Sequence, residues 1–355
     1  MDNKFIVSAL VILGIFGALF GLSLVAAPVS SAYQSSSHLF ATALAAVDPA
    51  AFGGGGKFLV SFDNFKNVHT MITDQHTVTR LFNVVRGQDR NIFWAGTDHG
   101  LFLSRDGGLT WNRFVTSDNE ITGDSLVFSV LPYSSDGTSF LVSVFENGVG
   151  SVYRTDDSFF TLNRIVDFAG EVPYAMYRNG HVLYLGMSTG QLIRYNLAYD
   201  YAKVVNAFSK SVVHFYPTSS GMYIQLSSGK LLHSTQFPSE FTQVKVPRQG
   251  FSGLFGSGVV QTPSWNSVGT LYVLSDNKVY KSLDHGTTFA LLKTIPLTTE
   301  SIDAFAVHND ALYVVSGTRM FISHDGGENW HIQDLNNTFK IANFYFVGGR
   351  VILGQ

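Results

Sequence analysis

The sequence predicts an all-β fold assembled from repeated small sheets, and three observations lead to this prediction. A short motif with Asp and Gly in fixed places recurs along the chain, which indicates a repeated turn. Before each copy, apolar residues alternate and the run ends in Gly, Ser, Asn or Asp, a pattern typical of hairpins. Aromatic residues make up 14% of the chain, charged residues 14%, and glycines number 34, which indicates a large core and many turns.

The recurring motif has the pattern S-x-D-x-G-x-T-W, and its clear copies begin at Ser104, Ser282 and Ser323. An Asp carboxylate in a turn accepts hydrogen bonds from nearby backbone amides, and Gly adopts a positive φ without a steric cost. The aromatic residue at the end begins the next strand. We therefore predict that the motif closes a hairpin turn and has a structural role. The residues assigned to this role are Ser104, Asp106, Gly108, Trp111, Ser282, Asp284, Gly286, Phe289, Ser323, Asp325, Gly327 and Trp330.

This motif resembles the Asp-box, or BNR, motif of sialidases, sortilin-type receptors and Ycf48-type photosystem II assembly factors, all of which are β-propellers. An N-terminal export segment followed by a long run of box-containing repeats makes the chain most similar to the Ycf48-type family. The resemblance implies a β-propeller fold and a role in binding or assembly without a cofactor. Only the boxes match residue by residue, and they specify the fold.

The repeat extends beyond its clear copies. Degenerate boxes can be placed at Ser61, Arg154, Arg194 and Ser234. Together the seven box starts lie roughly 40 to 50 residues apart, which is the length of a four-stranded propeller blade. We therefore predict a seven-bladed β-propeller over residues 57–355.

The two ends of the repeat region predict how the ring closes. Residues 57–70 carry a box but are too few for a blade, whereas residues 344–354 contain two strands and no box. Together they complete one blade. Such sharing pairs the edge strands at both ends of the chain, which would otherwise be open to association with other chains.

Residues 1–32 predict a signal-anchor or transmembrane segment. Residues 5–25 carry no charge, and their number is close to the roughly 20 residues that a helix needs to cross a bilayer. A retained anchor is favoured because the apolar core of a signal peptide usually has roughly 7 to 15 residues. The small residues Ser30 and Ala32 leave cleavage open, and the protein would then be secreted. Residues 33–56 predict a flexible tether that ends in four glycines.

The charges around this segment predict the side of the membrane on which the propeller lies. Lys4 precedes the apolar run, and no Lys or Arg follows it until Lys57. Positive residues stay in the cytoplasm, so the propeller is expected outside it.

Composition argues against several functions. The chain has no cysteine, so it cannot form disulfides. With a net charge of −3 and scattered Lys and Arg, it has no field that would attract nucleic acid. The 11 histidines show no spacing typical of metal sites, so no metal is expected.

Glycoside hydrolysis is the competing function, because sialidases also carry Asp-boxes. A sialidase would need three arginines that grip a carboxylate, with a Tyr nucleophile paired to a Glu. The early arginines Arg80, Arg86 and Arg90 all fall in one segment, and the box carboxylates fall on separate blades. We therefore predict no catalytic residues.

The predicted function is a membrane-tethered, extracytoplasmic interaction or assembly-scaffold module without catalytic activity. Its N-terminal helix would contact the lipid bilayer, and its partner would be a membrane or cell-envelope protein. The turns between the second and third strands lie on the face opposite the boxes, and they vary between repeats as a recognition surface would. The candidate binding residues are Asp98, His99, Glu146, Asn147, Asp276, Asn277 and Arg319.

Overall fold

The computed structural model describes residues 58–61, 69–73, 80–245, 263–265, 269–275, 277–295, 302–335, 341, 343–347 and 350–354. The regular elements in these ranges are all β-strands. The predicted signal-anchor segment (1–32) and tether (33–56) lie outside the described residues. In the part of the chain that is described, no helix has the length and apolar character needed to span a bilayer.

Strands of two to seven residues follow one another through the described chain. Those in the first half are β1 (Phe58–Ser61), β2 (His69–Thr73), β3 (Leu81–Arg86), β4 (Phe93–Thr97), β5 (Gly100–Ser104), β6 (Thr110–Phe114), β7 (Leu126–Pro132), β8 (Phe140–Glu146), β9 (Val149–Thr155), β10 (Asn163–Ala169), β11 (Pro173–Asn179), β12 (Val182–Met187), β13 (Gln191–Asn196) and β14 (Tyr201–Ala207). Those in the second half are β15 (Val212–Thr218), β16 (Gly221–Leu226), β17 (Leu231–Ser234), β18 (Thr242–Gln243), β19 (Pro263–Trp265), β20 (Leu271–Ser275), β21 (Lys278–Ser282), β22 (Ala290–Thr294), β23 (Ala304–His308), β24 (Ala311–Ser316), β25 (Arg319–Ser323), β26 (His331–Asp334), β27 (Asn343–Val347) and β28 (Arg350–Gly354).

The predicted all-β propeller fold is confirmed. Five antiparallel sheets each contain four strands that are consecutive in the chain: β7–β10, β11–β14, β15–β18, β19–β22 and β23–β26. The first strand of one sheet contacts the first strand of the next, as β7 contacts β11 and β11 contacts β15. The sheets therefore surround a common axis, and their fourth strands lie at the periphery.

The number of sheets differs from the prediction. The described strands form six sheets and not seven, because one sheet has eight strands in the order β27-β28-β1-β2-β6-β5-β4-β3. It joins two groups of four strands through a parallel pairing of β2 with β6, in which Ile72 faces Thr110 and Thr73 faces Trp111. A repeated motif predicts the groups, but it carries no information about hydrogen bonds between the outer strands of two neighbours.

The two ends of the described chain meet within this eight-stranded sheet. Strand β1 pairs with β28 in antiparallel register, with Leu59 opposite Leu353 and Val60 opposite Ile352. From β27, the Tyr345 hydroxyl donates a hydrogen bond of 2.9 Å to the Leu81 carbonyl at the start of β3. The last strands therefore connect the start of the ring to its end.

Apolar side chains fill the spaces between neighbouring sheets. Between β3–β6 and β7–β10, Trp94 and Leu101 pack with Phe140, Val142 and Phe159, all of them buried. Burying a side chain of this size stabilises the fold by roughly 1.5 to 3 kcal/mol. The core is thus divided into clusters, and this one depends on two adjacent groups of strands.

We expect deletion of residues 341–355 to open the ring. The deletion removes β27 and β28, so β1 keeps β2 but loses β28 and leaves an unpaired edge. The truncated chain should aggregate and lose its single cooperative melting transition, measured by size-exclusion chromatography and thermal unfolding against the full-length chain. A truncated protein that stays monomeric and melts cooperatively would contradict this.

Candidate functional site

The first box is a turn in which two side chains replace backbone hydrogen bonding. The Ser104 hydroxyl donates to the Asp106 Oδ1 atom at 2.9 Å and accepts from the Gly108 amide at 2.7 Å. The Thr110 amide donates to the same Asp106 oxygen at 2.9 Å, and its hydroxyl to Oδ2 at 2.5 Å. Both oxygens of the Asp106 carboxylate are therefore occupied within the turn between β5 and β6.

The other two clear boxes repeat this arrangement at nearly the same distances. In the second box, Ser282 Oγ donates to Asp284 Oδ1 at 2.7 Å and accepts from the Gly286 amide at 2.8 Å. The Thr288 amide donates to the same Asp284 oxygen at 2.8 Å. In the third, the corresponding distances are 2.8 Å for Ser323 to Asp325, 2.9 Å for Asn329 to Asp325 and 2.7 Å for Gly327 to Ser323.

A fourth box lies one residue later than the sequence placed it. The degenerate copy predicted to begin at Arg154 begins at Thr155, whose hydroxyl binds Asp157 at 2.8 Å and accepts from the Phe159 amide at 2.9 Å. The Thr161 amide donates to Asp157 at 2.9 Å. The spacing of Thr155, Asp157 and Thr161 matches the first box and indicates this register, although the turn contains no Gly.

The fifth position of the box needs a left-handed backbone. Its φ is 95° at Gly108, 86° at Gly286 and 93° at Gly327, a region that glycine adopts without steric cost. Phe159 occupies the same position with a φ of 70°. Its ring stacks on Phe140, with centroids 5.0 Å apart. At Phe159, packing in the core thus accompanies a positive φ, which residues other than glycine rarely adopt.

The aromatic residue that ends each box belongs to the core. Trp111 is buried, and its indole N–H donates to the Gly108 carbonyl at 3.0 Å. Phe289 and Trp330 are partly buried against the clusters of their own regions. Each box therefore ties a surface turn to the interior.

The hydrogen bonds of the boxes determine how their carboxylates titrate. Partial burial alone would raise the pKa of Asp106, but hydrogen bonds from Thr110 and Ser104 outweigh it and lower the pKa. Hydrogen bonds, first from the Thr288 hydroxyl, lower the pKa of Asp284 to about 2. Those from the Asn329 amide and side chain lower the pKa of Asp325 to about 2. These groups are ionised at neutral pH, so they cannot act as general acids, which need a raised pKa.

The candidate binding residues that the structure describes lie on the face opposite the boxes, where two of them bind the segment that leads into their own group of strands. The Asp98 carboxylate accepts from the Arg80 amide at 3.1 Å and lies 3.1 Å from His99 Nδ1. The Glu146 carboxylate accepts from the hydroxyls of Thr122 at 2.7 Å and Ser125 at 2.6 Å, both of which precede β7. The sequence pattern did not reveal these partners, because they lie on other turns.

The remaining candidates have different surroundings. Asn147 takes a φ of 51° in the tight turn between β8 and β9. The Asn277 carbonyl accepts from the Ile295 amide at 2.7 Å. The Arg319 guanidinium lies over the Phe321 ring, 5.7 Å from its centroid. Asp276 lies outside the described residues. The structure does not bring the described candidates together at one point.

The early arginines also fail to converge. Arg80 precedes β3 and Arg86 ends it, so about 20 Å of extended strand separates their Cα atoms. Arg90 lies in the turn that follows β3. The three therefore cannot grip one carboxylate. Within the ranges that the structure describes, no group of three or more His, Asp or Glu residues is placed to hold a metal ion.

Two depressions lie on the described surface near box turns. The larger, of about 550 Å³, is an open groove beside β22 and the third box. The smaller, of about 150 Å³, is a cleft between the first box and the Thr155 box. The residues that line the cleft are Gln88, Ile92, Trp94, Leu103, Arg105, Phe114, Ser158 and Phe160. The sequence pattern did not predict this cleft, because its walls come from two adjacent sheets.

The repeated boxes on sheets around one axis define an Asp-box β-propeller. The family model for the BNR/Asp-box repeat matches residues 321–331, which contain the third box. A curated relative, a xyloglucanase of Hypocrea jecorina (strain QM6a), is 26% identical over 273 residues. The match covers 73% of this chain and 26% of the relative, so the chain spans about a quarter of that enzyme's length.

Solved structures with the same fold include two of Ycf48. The structure of Ycf48 bound to D1 peptide has a TM-score of 0.59 at 15% identity and covers 77% of this chain and 92% of that chain. Ycf48 from Cyanidioschyzon merolae has a TM-score of 0.58 at 15% identity, with coverage of 78% and 92%. The resemblance to Asp-box propellers of the Ycf48 type is confirmed, and at this identity it is a likeness of fold.

We expect Ser104→Ala to destabilise the protein by about 1 to 3 kcal/mol, because it leaves the buried Gly108 amide without its acceptor. The change is measured as the free energy of unfolding in urea. The matched control is Ser209→Ala, at an exposed serine, which should leave stability unchanged. Equal stability of the two variants would show that the box hydroxyl is dispensable.

The box carboxylates should also make stability depend on pH. Asp284 and Asp325 have folded-state pKa values of about 2, below the ordinary 3.8, so the unfolded chain binds protons first as the pH falls. Their stabilising contribution is complete above about pH 5 and is lost between about pH 4 and pH 2. In an Asp284→Asn, Asp325→Asn double variant, the melting temperature should fall less over this window than in the wild type. A decline identical to that of the wild type would exclude these groups as its source.

Proposed function

We propose that this chain is a non-catalytic interaction or assembly module whose propeller binds a protein partner. The observation that carries this proposal is that hydrogen bonds within the box turns engage the repeated carboxylates. Asp106, Asp284 and Asp325 are each engaged by their own turn, and they belong to three different sheets. The motif that dominates the sequence therefore supports a scaffold.

The comparisons support binding of a polypeptide. One of the similar structures is of Ycf48 bound to D1 peptide, so a propeller of this fold can hold a peptide. Repeat folds display turns from several units on one face, and such faces are widely used to bind partners. We infer that a face of this propeller binds a protein partner in the same way. The partner is this chain's own and is not taken over from Ycf48.

We further propose that the propeller is tethered to a membrane and faces away from the cytoplasm. This rests on the sequence alone: the uncharged residues 5–25, Lys4 before them, and the glycines that end residues 33–56. A tether confines the propeller to a small volume, which makes modest affinities effective through a high local concentration. The partner would then be a membrane or cell-envelope protein.

We also propose that each half of the eight-stranded sheet acts as one blade, which would give the ring seven blades. Supporting this, both β27 and β3 contact the first strands of their neighbours, as β23 contacts β27 and β3 contacts β7. Among the described residues, strand pairing joins the halves at two positions, Ile72 with Thr110 and Thr73 with Trp111.

Glycoside hydrolysis is the second candidate, favoured by the 26% identity to the xyloglucanase. Such an enzyme needs two carboxyl groups roughly 5 to 9.5 Å apart, one of them with a raised pKa. The box carboxylates have lowered pKa values. The early arginines lie far apart, which also removes the support for a sialidase.

The test is cross-linking of the full-length chain in its native membrane, with identification of the linked proteins. A chain lacking residues 1–32 is the control for tethering. We expect the full-length chain to link to a defined membrane or envelope protein, the detached chain to link to it less, and neither to hydrolyse xyloglucan or a sialoside. Hydrolysis that a single Asp→Asn or Glu→Gln substitution abolishes would establish an enzyme in place of the interaction module.

A further inference from the structure

We propose that the free edge of β14 binds an extended segment of the partner protein, which adds a fifth strand to the sheet β11–β14. This inference rests on the proposed interaction function and deepens it, because it names the surface that the partner uses and the conformation of the bound segment. Strand β14 is the last strand of its sheet and pairs with β13 along one edge. No described strand pairs with its other edge.

The backbone of β14 offers hydrogen bonds along this free edge. Successive residues of a strand direct their N–H and C=O groups to opposite edges, so about half of those in β14 point away from β13. Its seven residues extend over about 24 Å. A free edge of this length is a template for another extended chain, and backbone hydrogen bonds give affinity without a deep pocket.

Two other outer strands are bound by other parts of this chain. Strand β6 pairs with β2. Strand β10, which also has seven residues, is bound at its start by the loop that precedes β7. The Leu162 amide donates to Asp118 at 2.9 Å, and the Arg164 guanidinium donates to Glu120 at 2.6 Å. Arg164 also forms an exposed ion pair with Asp167, and charges on an edge discourage pairing.

The remaining outer strands are shorter than β14. Strand β18 has two residues and β26 has four. Strand β22 has five, and its Lys293 forms an ion pair of 2.8 Å with Glu328 of the third box. A bulge interrupts β10, β14 and β22 alike, so it does not set β14 apart. Within the described ranges, β14 is thus the longest outer strand without a hydrogen bond or ion pair to another group of strands.

Apolar side chains are exposed on β14. Tyr201 is 57% exposed and Val204 is 48% exposed, and Tyr199 in the turn before the strand is 81% exposed. Because Tyr201 and Val204 are three positions apart, they lie on opposite faces of the sheet. An added strand would place its own side chains beside both, where cross-strand pairs stabilise a sheet. The bound segment would therefore cover apolar surface on both faces.

Charge does not select the segment. Lys203 is the one charged residue of β14, and Asp200, whose carboxylate accepts from the Tyr195 hydroxyl, immediately precedes the strand. Because a positive and a negative group lie side by side, neither sign is favoured. The bound segment is therefore an uncharged strand with apolar or β-branched residues. Strand β2, with the sequence His-Thr-Met-Ile-Thr, is such a segment and already pairs with an outer strand of this ring.

A second copy of this chain fits the edge less well than an extended segment does. Two rings that meet at their peripheries touch along one strand, and such a contact buries on the order of 500 Å², whereas stable interfaces bury roughly 1,200 to 2,000 Å². An extended segment can follow the strand and also contact Tyr199 in the turn. Because a tethered propeller lies close to its partner, a modest affinity for such a segment is enough.

The experiment measures binding of a fluorescent, blocked peptide to the full-length chain in detergent micelles by fluorescence anisotropy. The probe has the sequence of β2, His-Thr-Met-Ile-Thr. The matched control is the same peptide with every backbone amide N-methylated, which keeps the side chains and removes the donors. We expect the control to bind at least about tenfold more weakly, because it loses several backbone hydrogen bonds to the edge.

Variants of β14 locate the site. Tyr201→Lys together with Val204→Lys should weaken binding of the β2 peptide at least about tenfold, because charged side chains replace the apolar contacts on both faces. The matched control Leu283→Lys introduces a charge at another exposed apolar residue, in the second box turn, and should change nothing. The melting temperatures of both variants should equal that of the wild type, because all three side chains are exposed.

Thiol trapping reports where the peptide lies. The chain has no cysteine, so an introduced one is its single thiol. In a glutathione redox buffer, Val204→Cys should form a mixed disulfide with a β2 peptide that carries Cys in place of Ile. Leu283→Cys should form at least about tenfold less, because no bound strand raises the local concentration of the peptide there.

The inference is overturned if the β2 peptide does not bind, if the N-methylated peptide binds equally, if the double lysine variant binds as the wild type does, or if the two cysteine variants trap the peptide equally. A wild type that sediments as a dimer, with a double lysine variant that sediments as a monomer, would assign the edge to a second copy and would also overturn it. If the double lysine variant still cross-links to the membrane partner as efficiently as the wild type, the interaction function stands and only this assignment of the surface fails.

Discussion

The pairing of β1 with β28 is the constraint on which the rest of the architecture depends. The remaining sheets are local meanders, and each could form from a continuous stretch of chain. Much of their apolar surface is buried against neighbours, as in the cluster that joins Trp94 with Phe140 and the cluster that joins Leu141 with Leu185. Only when the ends meet does each sheet have a neighbour on both sides. The long-range contact between the two ends therefore makes the local contacts stable together.

Within that ring the boxes have a second, local task. Their carboxylates replace backbone partners in turns that are too tight to satisfy their own amides, and the aromatic residue that follows anchors the turn in the core. The same hydrogen bonds lower the pKa of the aspartates, so the groups that suggest an enzyme are held in the form least suited to acid catalysis. The stability of the turn and the low pKa of its aspartate have one physical cause.

The sequence predicts those parts of the structure that depend on neighbouring residues. Serine, aspartate and glycine at fixed spacing identify the turns at Ser104, Ser282 and Ser323, and alternation identifies the hairpins. The pairing of β2 with β6 could not be predicted, because it joins outer strands without a motif. The box at Thr155 begins one residue after the predicted Arg154, and Phe159 occupies the position that is glycine in the three clear boxes. The cleft at Trp94 forms where two groups of strands are in contact. The alternation of apolar residues along one strand does not indicate such contacts.

The position of β1 also determines how the ring would respond to mechanical load. This strand is hydrogen-bonded on both edges, to β2 on one side and to β28 on the other. A pull applied to β1 along its own axis loads both rows of hydrogen bonds in shear and does not open them one at a time. The force is transmitted through β28 to the C-terminal strands. It is also transmitted through β2 and β6 to the adjoining group of strands. The point where the chain enters the ring is thus held on both sides.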